Sequence, residues 1–153
     1  MYKRQGYLIL SDNLKRYNRV TKNSKAFILE PGRVYLNKKG HYPNGTILKE
    51  DEKDIIEELK TLFYSLKFKN QKVIKKVYEK KEIYSGKMID NAPDMVLVEN
   101  KGFNLNASIG KENTFDIKNI FSGKHNEDAF LFINKDIDLK EPTVEDIVGL
   151  LEG

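Results

Sequence analysis

Two histidines, His41 and His125, are the only imidazoles in this chain, and it has no cysteine. Thiolate metal sites, thiol nucleophiles and disulfides are therefore excluded together. His125 lies in Ser122-Gly123-Lys124-His125-Asn126-Glu127-Asp128, directly ahead of the apolar run Phe130-Leu131-Phe132-Ile133. A ligand at the mouth of a buried strand is held in place by the sheet, and Glu127 and Asp128 offer carboxylates nearby. Catalytic zinc, however, takes three protein ligands and keeps a fourth position open, so one imidazole in a polar loop does not compose a metal site by itself. His41 sits in the turn-like Gly40-His41-Tyr42-Pro43 and reads as an ordinary surface residue. No phosphate-loop or dinucleotide glycine pattern occurs, and no serine lies in a nucleophile-elbow pattern. Read from its residues alone, the chain has no complete catalytic apparatus.

The elements that would position these groups are legible in outline. Ala26 to Leu29 and Val34 to Leu36 read as strands separated by Pro31-Gly32, a pair that favours a type II turn. That turn matches the twist of a two-residue hairpin poorly, which predicts a wider connection. The clearest element is a helix from Asp51 to Leu66, with an apolar stripe of Ile55, Leu59, Leu62, Phe63 and Leu66. Asp51 is its expected N-cap, and Glu52 and Asp54 suit the positive end of the helix dipole. Lys72 to Tyr78 is β-branched and amphipathic, with a helical period as the alternative. Asp94 to Glu99 is a compact strand. Phe103, Leu105 and Ala107 alternate with polar residues as a one-sided strand does. Phe130 to Ile133 reads as a strand covered on both faces. A last helix is expected from Pro142 or Thr143, carrying Val144, Ile147, Val148 and Leu151. The pattern is α+β in isolation, or part of a larger α/β sheet.

With 153 residues, 39% hydrophobic and 33% charged, the chain has room for one domain with a real core. No window approaches the roughly 18 consecutive apolar residues that a membrane helix requires, and no secretory leader is evident, so a cytoplasmic location is expected. Residues 1–49 carry 11 Lys/Arg against 2 acids, whereas 126–153 carry 2 Lys against 8 acids. The densest basic run, Lys67 to Lys81, has seven lysines opposed only by Glu79. Its alternation with Val73, Ile74, Val77 and Tyr78 reads as the solvated face of a half-buried element. Net charge of this kind speaks to solubility and encounter before it speaks to a site.

Several segments, in order, resemble the C-terminal portion of the type I phosphodiesterase/nucleotide pyrophosphatase family of the alkaline phosphatase superfamily. They are Ser24-Lys25-Ala26-Phe27, Pro31-Gly32-Arg33-Val34-Tyr35-Leu36-Asn37 and Pro43-Asn44-Gly45-Thr46-Ile47. They continue with Glu82-Ile83-Tyr84-Ser85-Gly86, Ala92-Pro93-Asp94-Met95-Val96, Gly123-Lys124-His125 ahead of Phe130 to Ile133, and Asp146-Ile147-Val148. Ala129 stands where the family's Gly-x-His-x-x-x-Gly pattern has its second glycine, and Gly149-Leu150 where Pro-Thr usually follows. Ser11-Asp12-Asn13 is similar to the Ser-Asp-His-Gly metal motif only in part, with Asn13 in the place of the histidine.

The resemblance implies the C-terminal part of an alkaline-phosphatase-like fold: mixed sheet strands, one long amphipathic helix and a short terminal helix. Residues 1–153 form a single C-terminal domain or fragment on this reading. Residues 1–90 are a structural or substrate-shaping portion, and 91–153 return to the core sheet with the Gly-x-His motif. The resemblance further implies two divalent metal ions, zinc foremost, in an intact enzyme that hydrolyses phosphodiester or pyrophosphate bonds through a Thr or Ser nucleophile. It carries one residue role onto this chain, His125 as a metal ligand. The nucleophile and the other ligands are expected on an N-terminal catalytic portion. This chain alone is then expected to be inactive and to bind no metal tightly, with a phosphate ester or nucleotide as the intact protein's substrate. Neither a membrane nor a nucleic-acid partner is called for. Two alternatives are a non-enzymatic polyanion- or nucleic-acid-binding module using the basic N-terminal half, and a small protein keeping the fold for subunit assembly.

Overall fold

The computed structural model describes Leu8, residues 20–108, Thr114, Phe115, Phe132, Asn134, Thr143 and residues 146–152. The chain divides into two compact units, residues 1–120 and 121–153.

The first unit is α+β. Strands β1 (Ala26–Glu30) and β2 (Arg33–Leu36) are followed by helix α1 (Glu52–Tyr64) and a small hairpin of β3 (Lys67–Phe68) and β4 (Gln71–Lys72). Then come β5 (Ile74–Glu79), the single-turn α2 (Lys80–Ile83), a 3-10 turn at Ile89–Asn91 and β6 (Met95–Glu99). The main sheet has the order β1-β2-β6-β5, and every pairing in it is antiparallel. Its inward residues Ala26, Ile28, Val34, Leu36, Val77, Met95 and Leu97 form one buried cluster with Ile55, Leu59, Leu62 and Phe63 of α1. The helical stripe read from the sequence is the stripe that is buried, as period 3.6 on the helix and period 2 on the strands require. The helix also covers an edge of the sheet: the Val77 amide of β5 donates to the Tyr64 hydroxyl at 3.0 Å. An edge N–H that would otherwise invite pairing with another chain is thereby satisfied.

Two expectations need correction and two are met only in part. β1 and β2 are joined by Pro31-Gly32 alone, with Glu30 paired to Arg33 and Gly32 at φ +73. The twist mismatch is absorbed by a register shift between Ile28 and Glu30, where a bulge adds local twist. Asp51 occupies the N-cap of α1 without a side-chain capping bond, because its backbone is already helical (φ −87, ψ −13). The segment Lys72 to Tyr78 is β, as its β-branched pattern indicates, but is divided between two strands. Val73 leaves the small hairpin and β5 begins at Ile74. Phe103 to Ala107 joins no ladder, yet Phe103, Leu105 and Ala107 still pack on the core, so burial alternates without sheet pairing.

The small hairpin turns through Lys69 and Asn70, both at positive φ (47 and 65). Two consecutive left-handed residues are the signature of the type I′ connection, whose twist matches that of paired strands. Phe68 anchors the hairpin, tilted against Phe115 with centroids 4.7 Å apart and edge-on to Phe103.

In the second unit, α3 spans Asp146–Glu152 among the described residues. The Asp146 carboxylate accepts bonds from the Thr143 amide (2.7 Å) and hydroxyl (2.9 Å), the reciprocal half of a capping box. Ile147 and Val148 are exposed, not buried as an apolar helix face would be. Of the expected strand at 130–133, the described residue is Phe132, which lies outside any strand and is 90% exposed. A doubly covered strand would bury it; the remaining residues of that run lie outside the described residues.

Candidate functional site

The one buried carboxylate among the described residues is Asp94, immediately ahead of β6 and 5% exposed. Its backbone extends the β2–β6 ladder, the Asp94 amide donating to the Val34 carbonyl at 2.8 Å. Its side chain turns to the start of the next loop. Oδ2 accepts from the Leu36 amide at 2.8 Å, and Oδ1 meets Lys38 Nζ at 2.6 Å and Lys80 Nζ at 3.1 Å. Lys38 also reaches Glu52 at 3.2 Å, so two carboxylates and two ammonium groups balance. Lys80 further donates from its backbone to the Asp94 carbonyl and from Nζ to the Asp90 carbonyl.

Beside this cluster, Asn37 is 1% exposed. Its Nδ2 donates to the carbonyls of Ser24 (2.9 Å) and Asn44 (2.8 Å), and its own carbonyl accepts from the Thr46 and Ile47 amides. The loop between β2 and α1 is thus tied to the segment before β1. Gly45 is required there, since a Cβ would lie 1.8 Å from the Lys38 carbonyl oxygen. Phe27, Tyr35 and Tyr42 pack together on the sheet's second face. Phe27 stacks on Tyr35 at 5.7 Å, and Tyr42 stands edge-on to Phe27 at 4.9 Å.

Electrostatics assign these groups a holding role. Burial opposes the charged form of Lys38, but the hydrogen bonds and charges of Asp94 and Glu52 outweigh it and raise its pKa above 10.5. Burial, then the Asp94 charge, pushes the Tyr42 hydroxyl up to about 12. At neutral pH the lysine is an ammonium and the tyrosine a neutral phenol. Neither is poised as a general base, whose pKa should lie near the operating pH.

The residues expected to do chemistry fare differently. His125, Glu127, Asp128 and Ser11 to Asn13 lie outside the described residues. His41 is exposed, edge-on to Tyr42 at 4.6 Å, as a surface residue should be. Tyr35 and Tyr42 are engaged in packing, and Tyr78 lies under Lys76 Nζ at 4.1 Å. Among the described residues no group of three or more His, Asp or Glu can hold a metal. Asp94 is already taken by two lysines and an amide, so these residues do not fit a zinc centre. No described helix is long and apolar enough to cross a membrane. The Asp94 cluster itself was not foreseen. A carboxylate placed between Pro93 and an apolar run was its only trace in the sequence, and Lys38, 56 positions upstream of it, left none.

No family model, curated protein or solved structure matches the chain.

Proposed function

We propose that this chain is the C-terminal portion of a metal-dependent phosphodiesterase or nucleotide pyrophosphatase with an alkaline-phosphatase-like fold, acting in the cytoplasm. Its described unit is a structural, substrate-shaping element, and His125 is its contribution to a two-cation centre. One observation carries this reading. Three separated segments that bear the family resemblance, 31–37, 43–47 and 92–96, meet in one buried polar framework. Asp94 holds the Leu36 amide, and Asn37 holds the Asn44 carbonyl. Motifs that recur together for scaffolding should interlock in this way, with their polar groups satisfied by one another. The nucleophile and remaining ligands would then come from an N-terminal catalytic portion.

The test is a longer reading frame assayed with zinc and bis(p-nitrophenyl) phosphate. Upstream sequence encoding a Thr or Ser nucleophile, an Asp-x-x-x-His pair and Ser-Asp-His-Gly is expected. So are zinc-dependent turnover by the longer protein, its loss in H125A, and no turnover by the 153-residue chain alone. Metal-dependent turnover by this chain alone, or an H125A variant as active as its parent, would overturn the proposal.

A further inference from the structure

Asn44-Gly45 is the one Asn-Gly pair in the sequence. Asparagine ahead of glycine is the pair most prone to spontaneous deamidation, because a residue without Cβ leaves its backbone nitrogen unhindered and free to rotate. The Gly45 nitrogen gives its proton to hydroxide and bonds to Asn44 Cγ. The Cγ–Nδ2 bond breaks, Nδ2 takes up a proton, and ammonia leaves a five-membered succinimide. Water then opens that ring at either carbonyl, giving aspartate or isoaspartate. In isoaspartate the main chain runs through the side-chain methylene and is one carbon longer.

The fold keeps both reacting groups engaged elsewhere. The Gly45 amide donates to the Tyr42 carbonyl at 2.9 Å, which holds its proton. Asn44 Nδ2 donates to the Val20 carbonyl at 2.9 Å, which ties the carboxamide to the segment before β1. The peptide group between them is fixed as well: the Asn44 carbonyl accepts from Asn37 Nδ2 at 2.8 Å, and the next amide, of Thr46, donates to the Asn37 carbonyl. Packing also forbids a slower-reacting neighbour, since a Cβ at Gly45 would lie 1.8 Å from the Lys38 carbonyl oxygen. The contact that demands the reactive pair belongs to the same loop whose hydrogen bonds restrain it.

We propose that Asn44 is a covalent modification site, closed in the folded chain and converted by water when the loop between β2 and α1 opens. Deamidation there records past opening. Isoaspartate also bars the way back, because a longer main chain must fit where there is no room for a methyl group, and a carboxylate replaces the donor to the Val20 carbonyl. The proposal is independent of the hydrolase reading.

Incubating the full chain in mildly alkaline buffer, with and without denaturing urea, tests it. Peptide mapping by mass spectrometry follows the amide-to-acid change at Asn44. Conversion should be at least about tenfold slower in buffer than in urea, as for a reaction that waits on opening. On dilution out of urea, isoaspartate at position 44 should be concentrated in the chains that fail to refold. The yield of refolded chain should fall with time spent in urea, and N44Q, if it folds when freshly diluted, should not show that decline. Equal conversion rates in buffer and urea overturn the proposal, as does no conversion in either. Isoaspartate at equal levels in refolded and unrefolded chains overturns the barrier to refolding, and this measurement needs no variant.

Discussion

Asp94 accepts a hydrogen bond from the Leu36 amide at 2.8 Å across 58 positions of sequence, and with the same carboxylate it neutralises Lys38 two residues further on. One side chain thus ends β2, begins β6 and fixes the loop toward α1.

Replacing Asp94 with Asn keeps an acceptor for Leu36 but leaves Lys38 and Lys80 without their shared counter-charge. Breaking a buried pair from one side costs about 3–5 kcal/mol. The lysine side chains retain 21% and 16% exposure, so the lower end, roughly 3 kcal/mol, is expected. Urea denaturation checks it, and D94N with K38M should cost less than the sum of the two single changes.

Gly45→Ala should be severe for a different reason. The new methyl would sit 1.8 Å from the Lys38 carbonyl oxygen, backbone that Asn37 and Ile47 hold in place. A loss of roughly 3 kcal/mol is expected, in the range of overpacking changes. Gly40→Ala, whose Cβ would meet nothing within 4 Å, should cost less despite its φ of +79. Thermal unfolding of both variants measures the difference.

Alkaline stability follows from two raised pKa values. Lys38 is raised above 10.5 in the fold, so its contribution is complete below the unfolded value and is lost as pH climbs through the folded one. Tyr42 is neutral in the fold up to about 12 against 10.0 when unfolded, so its contribution also fades across that interval. Stability should therefore be level from neutral pH to about 10 and fall steeply beyond, with the Tyr42 part removed in Y42F. Ultraviolet titration of tyrosinate should show a group ionising near 12 that is absent in Y42F.

Lys69→Asn should stabilise the hairpin by about 0.5–1 kcal/mol, because left-handed backbone is costly for a long side chain and natural for Asn. The present φ of 47 supplies the strain to be relieved. Chemical denaturation measures the gain.

What was readable in advance depended on range. The stripe Ile55, Leu59, Leu62 and Phe63 was legible because a helix buries residues at a local spacing. The strands at Ala26, Val34 and Met95 were legible for the same reason. The expectation of a strand at Phe103 to Ala107 shows the limit of periodicity. Alternation reports which side chains are covered, and coverage here comes from packing on the core, outside any described strand.

Turn residues likewise announced themselves without announcing their register. Pro31-Gly32 marked a reversal, but the slip between Ile28 and Glu30 that permits so short a connection depends on how two strands meet. The Lys67 to Lys72 opposition was hidden in a basic run whose lysines all read as solvated. Only the two-residue turn at Lys69-Asn70 sets them face to face.

The sequence by itself determined the α+β composition, the buried face of α1 and the absence of thiol chemistry, because each follows from residue type and local period. The tertiary structure alone decided that Asp94, Lys38, Lys80 and Glu52 form one neutral cluster and that Asn37 ties two loops together. Those relationships join positions tens of residues apart, and pairing over such distances is selected by the packing of the whole sheet, which no local pattern encodes.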